Sequence, residues 1–484
     1  MSAQWLSGSA WNLLGITVPF AVALVCMPLL LAGLGPERYG LLLLSWSIVG
    51  YFSVFDFGLG RAITQRLAVV DPADRRGRAS VVVTGVLALA GLGVAGGTLM
   101  ALAAPLVERV GSIAPDLRAE TVRAVAILGA GLPFVLLSTG LRGALEGVAD
   151  FGWLNLIRGV AGVGTYAAPV IVMAFAPRVD AVCAGLVAVR GAGCVAYAVR
   201  CAAHFDLSRP ARLVDRGAAR RLATYGGWVT VSSVVSPIMA YLDRFLVAGA
   251  ISVTLAGYYG TSQEVVTRFQ VVPSAVFAAL FPFVARHHAH DPSRAGALLV
   301  RGAGVVAWTL LPVAAACLLF AREGLTLWLG PDFAAAATEA TRILVLGSFV
   351  NCLALGPYTL LHAVGRPDVT AKIHLLELPL FLAALAWAVP RLGIVGVALA
   401  WSGRMVLDLL VLLWAARRCA TGMAAEVRRI ATRAILPIAL LAGLFAVESA
   451  VLASAALVAL AAVAARVLLT EWHAGDATAV APRG

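Results

Sequence analysis

Long apolar segments recur along the whole chain, and they constrain its fold more than any other feature. Runs of roughly 18–25 apolar residues are long enough to cross about 30 Å of hydrocarbon as helices. Of the 484 residues, 61% are hydrophobic and 13% are charged, and the mean hydropathy is +0.92. Soluble proteins carry about a quarter charged residues, which cover their surface. The sequence therefore predicts an all-α polytopic membrane protein.

The apolar runs divide into about fourteen predicted transmembrane helices. We place these spans at residues 10–31, 39–55, 80–102, 121–143, 153–175, 181–203, 228–248, 258–283, 297–320, 334–362, 371–389, 394–416, 434–447 and 449–469. The last two, which flank Glu448, could instead form one re-entrant hairpin.

Arginine-rich loops follow the even-numbered spans. The groups are Arg61, Arg66, Arg75, Arg76 and Arg78 after span two; Arg200, Arg209, Arg212, Arg216, Arg220 and Arg221 around the end of span six; Arg286 and Arg294 after span eight; Arg366 and Lys372 after span ten; and Arg417, Arg418, Arg428, Arg429 and Arg433 after span twelve. Short basic loops mark the cytoplasmic side of a membrane. Because the alternation keeps its phase, we expect both termini to be cytoplasmic.

Several function classes find no support in the sequence. The formal net charge of +12 comes from arginines spread over the loops on one side of the membrane. This distribution is typical of the positive-inside rule for membrane proteins and not of a nucleic-acid-binding surface. A nucleotide-binding phosphate loop, a C-x-x-C pair and a spaced catalytic triad are all absent from the sequence. The N-terminal residues lack the basic start of a cleaved signal peptide. We therefore predict no enzyme activity, no cofactor and no metal.

The chain also resembles a duplication. "GSAWNLLG" opens span one and "YGGWVTVS" opens span seven; Trp11 precedes Gly40 by 29 residues, and Trp228 precedes Gly260 by 32. We predict two pseudo-symmetric six-helix lobes at residues 1–204 and 225–416. A cytoplasmic linker at 205–224 joins them, and two additional helices with a tail follow at 417–484. Secondary transporters are commonly built from such repeats, with the site near the middle of the membrane between them.

Two segments carry a resemblance to a known family. "LAGLGPERYGLLLLSWSIVGYFSVFDFGLGRAITQRLA" and "YLDRFLVAGAISVTLAGYYGTSQEVVTRF", followed by "AALFPFVAR", resemble the polysaccharide flippases of the multidrug/oligosaccharidyl-lipid/polysaccharide exporter superfamily. The resemblance extends from residue 6 to about residue 416. It implies a two-lobed exporter in a bacterial inner membrane that moves lipid-diphosphate-linked oligosaccharides to the outer leaflet for O-antigen or exopolysaccharide assembly. The implied partners are this lipid, membrane lipids and, as a further possibility, a polymerase and glycosyltransferases.

Span eight contains a carboxylate and a guanidinium within an apolar helix. Glu264 and Arg268 are four residues apart and therefore share a helix face. Charges inside a membrane usually mark pathways, and the planar fork of arginine suits a diphosphate. We expect Arg268 to bind the diphosphate and Glu264 to neutralise it in the empty state or to accept a driving proton. An intrahelical ion pair that stabilises packing is the alternative.

Five other polar residues are weaker candidates. Asp243 and Arg244 in span seven could form a gate or a salt bridge between the lobes, or contact substrate. Asp56 and Arg61 could receive the headgroup at the cytoplasmic mouth, or simply anchor the interface. Asn12 could hydrogen-bond to sugars, although hydrogen bonds between helices explain it equally well.

Arg190 lies in the middle of span six, and no partner for it is evident from the sequence. Two other functions remain open: a cation-coupled drug or metabolite antiporter of the same superfamily, and a non-transporting scaffold for polysaccharide synthesis.

Overall fold

The computed structural model consists of α-helices joined by short turns. It describes residues 3–51, 56, 58–71, 73–109, 113–148, 150–205, 239, 241–288, 290–447 and 449–479, and these residues contain no β-strand. The chain divides into two compact units, Met1–Gly257 and Tyr258–Gly484. The predicted linker at 205–224 lies outside the described residues except for Phe205, so the predicted lobe boundaries stay a prediction.

The first unit contains seven described long or medium helices and the helical residues 241–250. The helices are α1 (Ala3–Leu34), α2 (Pro36–Tyr51), α3 (Leu59–Val69), α4 (Arg75–Ala103), α5 (Pro115–Gly147), α6 (Phe151–Phe175) and α7 (Val179–His204). Within this unit α1 packs on α6, while α5 packs on α4 and α7.

The unit boundary falls inside the next helix, α8. The remaining helices are α8 (Val253–Val266), α9 (Val271–His287), α10 (Pro292–Leu319), α11 (Ala321–Leu329), α12 (Pro331–Ala363), α13 (Pro367–Cys419), α14 (Ala424–Gly443) and α15 (Ala450–Ala479). α12 packs on α10 and α13, and α10 also packs on α14 and α15. α13 consists of two arms that meet at Gly393, whose backbone is not helical (φ 57°, ψ −139°).

Proline and its neighbours set several helix starts. Pro115, Pro292 and Pro331 occupy the first turn of α5, α10 and α12, where the missing N–H costs no helical hydrogen bond. The Asp291 carboxylate accepts a hydrogen bond from the Arg294 N–H at 3.1 Å and so caps α10. Gly330, with φ of 94°, makes the turn that separates α12 from α11.

Ten helices in the described part of the chain are long and apolar enough to cross a membrane. They coincide with predicted spans three to six and eight to fourteen, since α13 contains both spans eleven and twelve. Span one lies in α1, span two begins in α2, and the helical residues 241–248 belong to span seven. The prediction of an all-α polytopic membrane protein is confirmed.

A close backbone approach in the first unit joins α2 to the start of α8. A Cβ atom added to Gly40 in α2 would lie 2.2 Å from the carbonyl oxygen of Val253. A Cβ added to Gly257 would lie 2.6 Å from the Cα of Gly40. Small residues allow membrane helices to approach this closely. Gly40 and Gly257 therefore allow α2 to pack against the start of α8.

We predict that Gly40→Ala destabilises the protein by about 1–3 kcal/mol, because the added methyl group meets backbone that cannot rotate away. Thermal unfolding of the purified protein in detergent measures this loss. Gly91→Ala in α4 is the matched control: its Cβ would meet no atom within 4 Å. Equal unfolding temperatures for the two variants would contradict the packing account.

Candidate functional site

Arg190 lies near the middle of α7, a predicted membrane span, and its side chain is half-buried. Among the described residues it has no acidic partner, and the groups that act on its charge are the hydroxyls of Tyr166 and Tyr197. Tyr166 on α6 also packs edge-to-face on Trp46, with ring centroids 5.2 Å apart. The first unit thus holds a guanidinium at membrane depth among aromatic side chains, without a neutralising carboxylate from its described residues.

Two further arginines share Tyr197 with Arg190 as a neighbour. Arg142 on α5 and Arg158 on α6 both act electrostatically on Tyr197, as Arg190 does. Both are exposed. Arg142 shares its charge with Glu146, whose Oε1 lies 3.8 Å from the Arg142 Nε, with 46% and 39% of the two side chains exposed. A half-exposed pair of this kind contributes little to stability and leaves Arg142 accessible.

The predicted candidates Asp56 and Arg61 lie near Arg142. The Asp56 Oδ1 accepts a hydrogen bond from the Gly58 N–H at 2.8 Å, in the turn that leads into α3. Arg61 on α3 is exposed, and both Arg61 and Arg142 act on the Asp56 carboxylate. Arg142 therefore acts on both the Asp56 carboxylate and Tyr197. We call Arg61, Arg142, Arg158 and Arg190 the arginine series.

The arginine series contrasts with ion pairs elsewhere in the first unit. The Arg38 Nε lies 3.1 Å from Oε1 of Glu120, which is 5% exposed and also accepts a hydrogen bond from the Val179 N–H at 2.5 Å. Arg123 and Arg178 donate to the buried Asp180 at 2.7 and 2.5 Å. These arginines are matched by carboxylates and bridge α2, α5 and α7, which is a structural role.

In the second unit, Glu264 and Arg268 form the ion pair that their spacing predicts. Within predicted span eight, a short 3-10 helix at Thr267–Gln270 separates α8 from α9. Pro273 lacks the N–H that would bond to the preceding turn, which favours this break. Arg268 thus lies in the break, with 31% of its side chain exposed.

The opposite face of α8 is fixed to α12. The Ser348 hydroxyl donates to the Val266 carbonyl at 2.7 Å, and the Thr341 hydroxyl donates to the Ser262 hydroxyl at 2.8 Å. The rings of Tyr258 and Phe333 lie 4.4 Å apart. These contacts bury one face of α8 and leave Glu264 on its half-exposed face. The substrate-binding roles of Glu264 and Arg268 stay predictions.

Asp243 and Arg244 are buried within the first unit, with 0% and 5% of their surfaces exposed. The Asp243 Oδ1 accepts from the Arg244 N–H at 2.8 Å, and the Arg244 guanidinium donates to the Ser47 hydroxyl at 3.2 Å. Arg244 also lies over the Tyr241 ring. Their predicted gate role stays untested. Asn12 belongs to α1, and its side chain lies outside the described part of the structure.

Sequence reasoning missed one polar cluster. His374 and Glu377 on the first arm of α13 approach Arg404 and Asp408 on the second arm. Glu377 is not among the predicted site residues, although an acid within the apolar run "HLLELPLF" indicates a polar site inside a membrane span. The turn at Gly393, which brings the two arms together, has no comparable signal.

We predict that Arg190→Met raises the stability of the ligand-free protein by about 1 kcal/mol, because it removes a membrane-depth charge and keeps the side-chain length. Thermal unfolding in detergent measures the change. The matched control is Arg38→Met, which leaves Glu120 without its guanidinium and should destabilise the protein by about 1–3 kcal/mol. A loss of stability in Arg190→Met as large as in the control would show that Arg190 is structural.

The comparisons with solved structures concern the fold. The structure of the lipid II flippase MurJ in an inward closed conformation aligns with a TM-score of 0.73 at 11% identity, covering 96% of this chain and 99% of that one. An inward-facing multidrug resistance MATE family transporter of the MOP superfamily aligns with a TM-score of 0.69 at 14% identity, covering 87% and 98%. The chain thus has the fold that these transporters share.

Sequence comparisons identify the family. A protein of Shigella flexneri named "Putative O-antigen transporter" is 28% identical over 411 residues, which are 84% of this chain and 97% of that protein. The proteins named in these comparisons are described as transporters or as a flippase, which agrees with the prediction that the chain is not an enzyme. A family model described as "Polysaccharide biosynthesis protein" matches residues 31–338, more than half of the chain. The chain therefore belongs to this polysaccharide biosynthesis family, and the predicted resemblance to the polysaccharide flippases is confirmed.

Proposed function

We propose that the protein translocates polyprenyl-diphosphate-linked oligosaccharide units across the cytoplasmic membrane by alternating access, for O-antigen or exopolysaccharide assembly. The family and the name of the Shigella flexneri relative support a lipid-linked saccharide as the class of substrate. The sugar headgroup cannot cross hydrocarbon unaided, because its charges and hydroxyls would lose their water. The protein has to supply polar partners along the way.

The observation that carries the proposal is Arg190. A charged side chain at the centre of a bilayer costs about 3 kcal/mol on insertion scales and more in simulations. A protein retains such a residue, without a described carboxylate partner, where a ligand supplies the missing charge. The ligand must then be an anion, and a diphosphate provides the required charge together with acceptor oxygens in the geometry that guanidinium groups bind.

The rest of the arginine series supports a route to Arg190. Arg61, Arg142 and Arg158 belong to the ends of helices that the predicted topology places at the cytoplasmic side. Arg190 and Tyr197 lie on one helix about 10 Å apart along its axis. A diphosphate that enters from the cytoplasm would therefore meet exposed arginines first and Arg190 last. The prenyl chain can stay in the lipid throughout, since it is apolar.

The likeness to a MATE transporter favours a second candidate, a cation-coupled antiporter of drugs or metabolites. The arginine series opposes this candidate for cationic drugs, because guanidinium groups repel a cation and, among the described residues, only Arg142 of the four forms an ion pair, with Glu146. Anionic solutes remain compatible with it. Transport of a lipid-linked substrate separates the two candidates.

We predict that proteoliposomes containing the protein expose a fluorescent polyprenyl-diphosphate oligosaccharide to an outside enzyme, and that Arg190→Gln lowers this rate about tenfold or more. A charge-assisted hydrogen bond contributes about 1.5–3 kcal/mol, and 1.4 kcal/mol corresponds to a factor of ten. Arg391→Gln is the matched control, since this exposed guanidinium donates to the Trp387 carbonyl on its own helix at 2.7 Å. An equal loss in both variants would contradict a specific role for Arg190.

The same assay tests the second unit. Arg268→Ala should lower the translocation rate, because it removes a guanidinium that would bind the diphosphate. A near-normal rate would remove Arg268 from the binding site. Failure of the wild type to expose the lipid, together with export of organic dyes, would favour the antiporter. Failure of both activities would favour the scaffold.

A further inference from the structure

The polar cluster in α13 is a buried group of ionisable side chains to which the proposed function assigns no role. His374 and Glu377 lie on the arm before Gly393, and Arg404 and Asp408 lie on the arm after it. Residues three or four apart share a helix face, so each arm turns two of these side chains towards the other arm. Glu377 and Asp408 are nearly equally far along the chain from Gly393, so the turn places them side by side.

The four side chains are in contact but incompletely hydrogen-bonded. The His374 Nε2 lies 3.5 Å from the Asp408 Oδ1, and the Arg404 Nη1 lies 3.7 Å from the Glu377 Oε2. One potential ligand atom from each of His374, Glu377 and Asp408 lies within 4.8 Å of the other two. Each distance is longer than a good hydrogen bond.

Burial makes this arrangement costly when it is fully ionised. Glu377 is 3% exposed and Asp408 is 7% exposed. Within the described structure, neither carboxylate oxygen of Glu377 receives a hydrogen bond. The Oδ1 of Asp408 receives none either. An enclosed carboxylate without hydrogen bonds is strongly disfavoured, and two adjacent carboxylates in one site cannot both stay ionised easily.

Charge balance fixes what is missing. Two carboxylates and the permanent charge of Arg404 leave the cluster at −1 when His374 is neutral. One proton, placed on His374 or shared by the two carboxyl groups, makes it neutral. A sodium ion would supply the same charge, but the imidazole nitrogen is a poor ligand for it compared with oxygen.

The surrounding charges do not supply that unit of charge. Of the helices that pack on α13, α12 presents His362, whose Nε2 lies 3.0 Å from the Thr370 hydroxyl. On α14, Arg433 is exposed and lines a small apolar cavity with Leu409 and Leu413. Glu426, on the same helix, packs on Gly296. The short helix Thr421–Met423 has no ionisable side chain. On α13 itself, Asp368 is already matched by Arg366 and Lys372.

A dication is the competing occupant, because one imidazole nitrogen and carboxylate oxygens are donors that zinc accepts. Arg404 opposes it. A permanent guanidinium charge 3.7 Å from the Glu377 carboxylate would repel a second, doubly charged cation at the same oxygen atoms. A proton satisfies the charge and needs no coordination shell.

We propose that His374, Glu377 and Asp408, beside Arg404, form a binding site for one exchangeable proton. His374, with 33% of its side chain exposed, connects the buried carboxyl groups to the outside of the helix pair and is the route by which the proton enters. Resting on the proposed function, we assign the coupling of translocation to a proton gradient to this site rather than to Glu264.

The proton site is tested by infrared difference spectroscopy of the purified protein as the pH is raised. The wild type should lose one buried protonated-carboxyl band, or show the loss of one His374 proton by nitrogen NMR. Glu377→Gln and Asp408→Asn should each abolish the signal completely, because Arg404 then balances the single remaining carboxylate. Asp368→Asn, an exposed carboxylate on the same helix, is the control and should leave the signal unchanged. Both variants are first checked for a cooperative unfolding transition.

A signal that survives in both single variants, or that falls by half in each, would overturn a shared proton. Stoichiometric zinc binding by the wild type that is lost in Glu377→Gln would overturn it in favour of a dication.

For the coupling, wild-type translocation should accelerate in a proton gradient, and Glu377→Gln should translocate at one rate with or without it. A gradient-independent wild type overturns the coupling alone. A wild type that moves no lipid contradicts the proposed function and the coupling together, while the infrared result still decides the proton site.

Discussion

A charge placed inside a membrane must be matched by another charge, by water or by a ligand, and this constraint organises the polar residues of the protein. Arg38 is matched by Glu120, and Asp180 is matched by Arg123 and Arg178. Leaving such a charge unmatched would cost several times the typical worth of a hydrogen bond. The places where the matching is incomplete are therefore the places where a missing partner can be inferred.

Two such places have opposite signs. In the first unit, the arginine series has an excess of positive charge, which calls for an anion. In the second unit, the cluster of His374, Glu377, Arg404 and Asp408 has an excess of negative charge in its deprotonated form, which calls for a cation of unit charge. The first requirement fits the diphosphate of a lipid-linked saccharide, and the second fits a proton. A transporter that binds an anionic substrate and a proton needs a site of each kind.

The sequence predicted the fold class and most of the spans because hydrocarbon leaves little choice: only helices satisfy the backbone, and their length is set by the bilayer. It also predicted the Glu264–Arg268 pair, since an i, i+4 spacing needs no tertiary information. The short 3-10 helix at Thr267–Gln270 was not predicted, although Pro273 was a signal for it. The gathering of Arg142, Arg158 and Arg190 around Tyr197 could not be predicted, because it depends on how α5, α6 and α7 pack. The meeting of Glu377 with Asp408 depends in the same way on the turn at Gly393.

The central claim is that the diphosphate of the substrate is bound by Arg190. Solid-state NMR can measure it directly as dipolar coupling between the phosphorus atoms of a bound polyprenyl-diphosphate saccharide and arginine side-chain nitrogens in membranes. The account predicts strong phosphorus–nitrogen coupling in the wild type that is lost in Arg190→Gln. Coupling that is absent in the wild type, or that is unchanged when Arg190 is replaced, would contradict it.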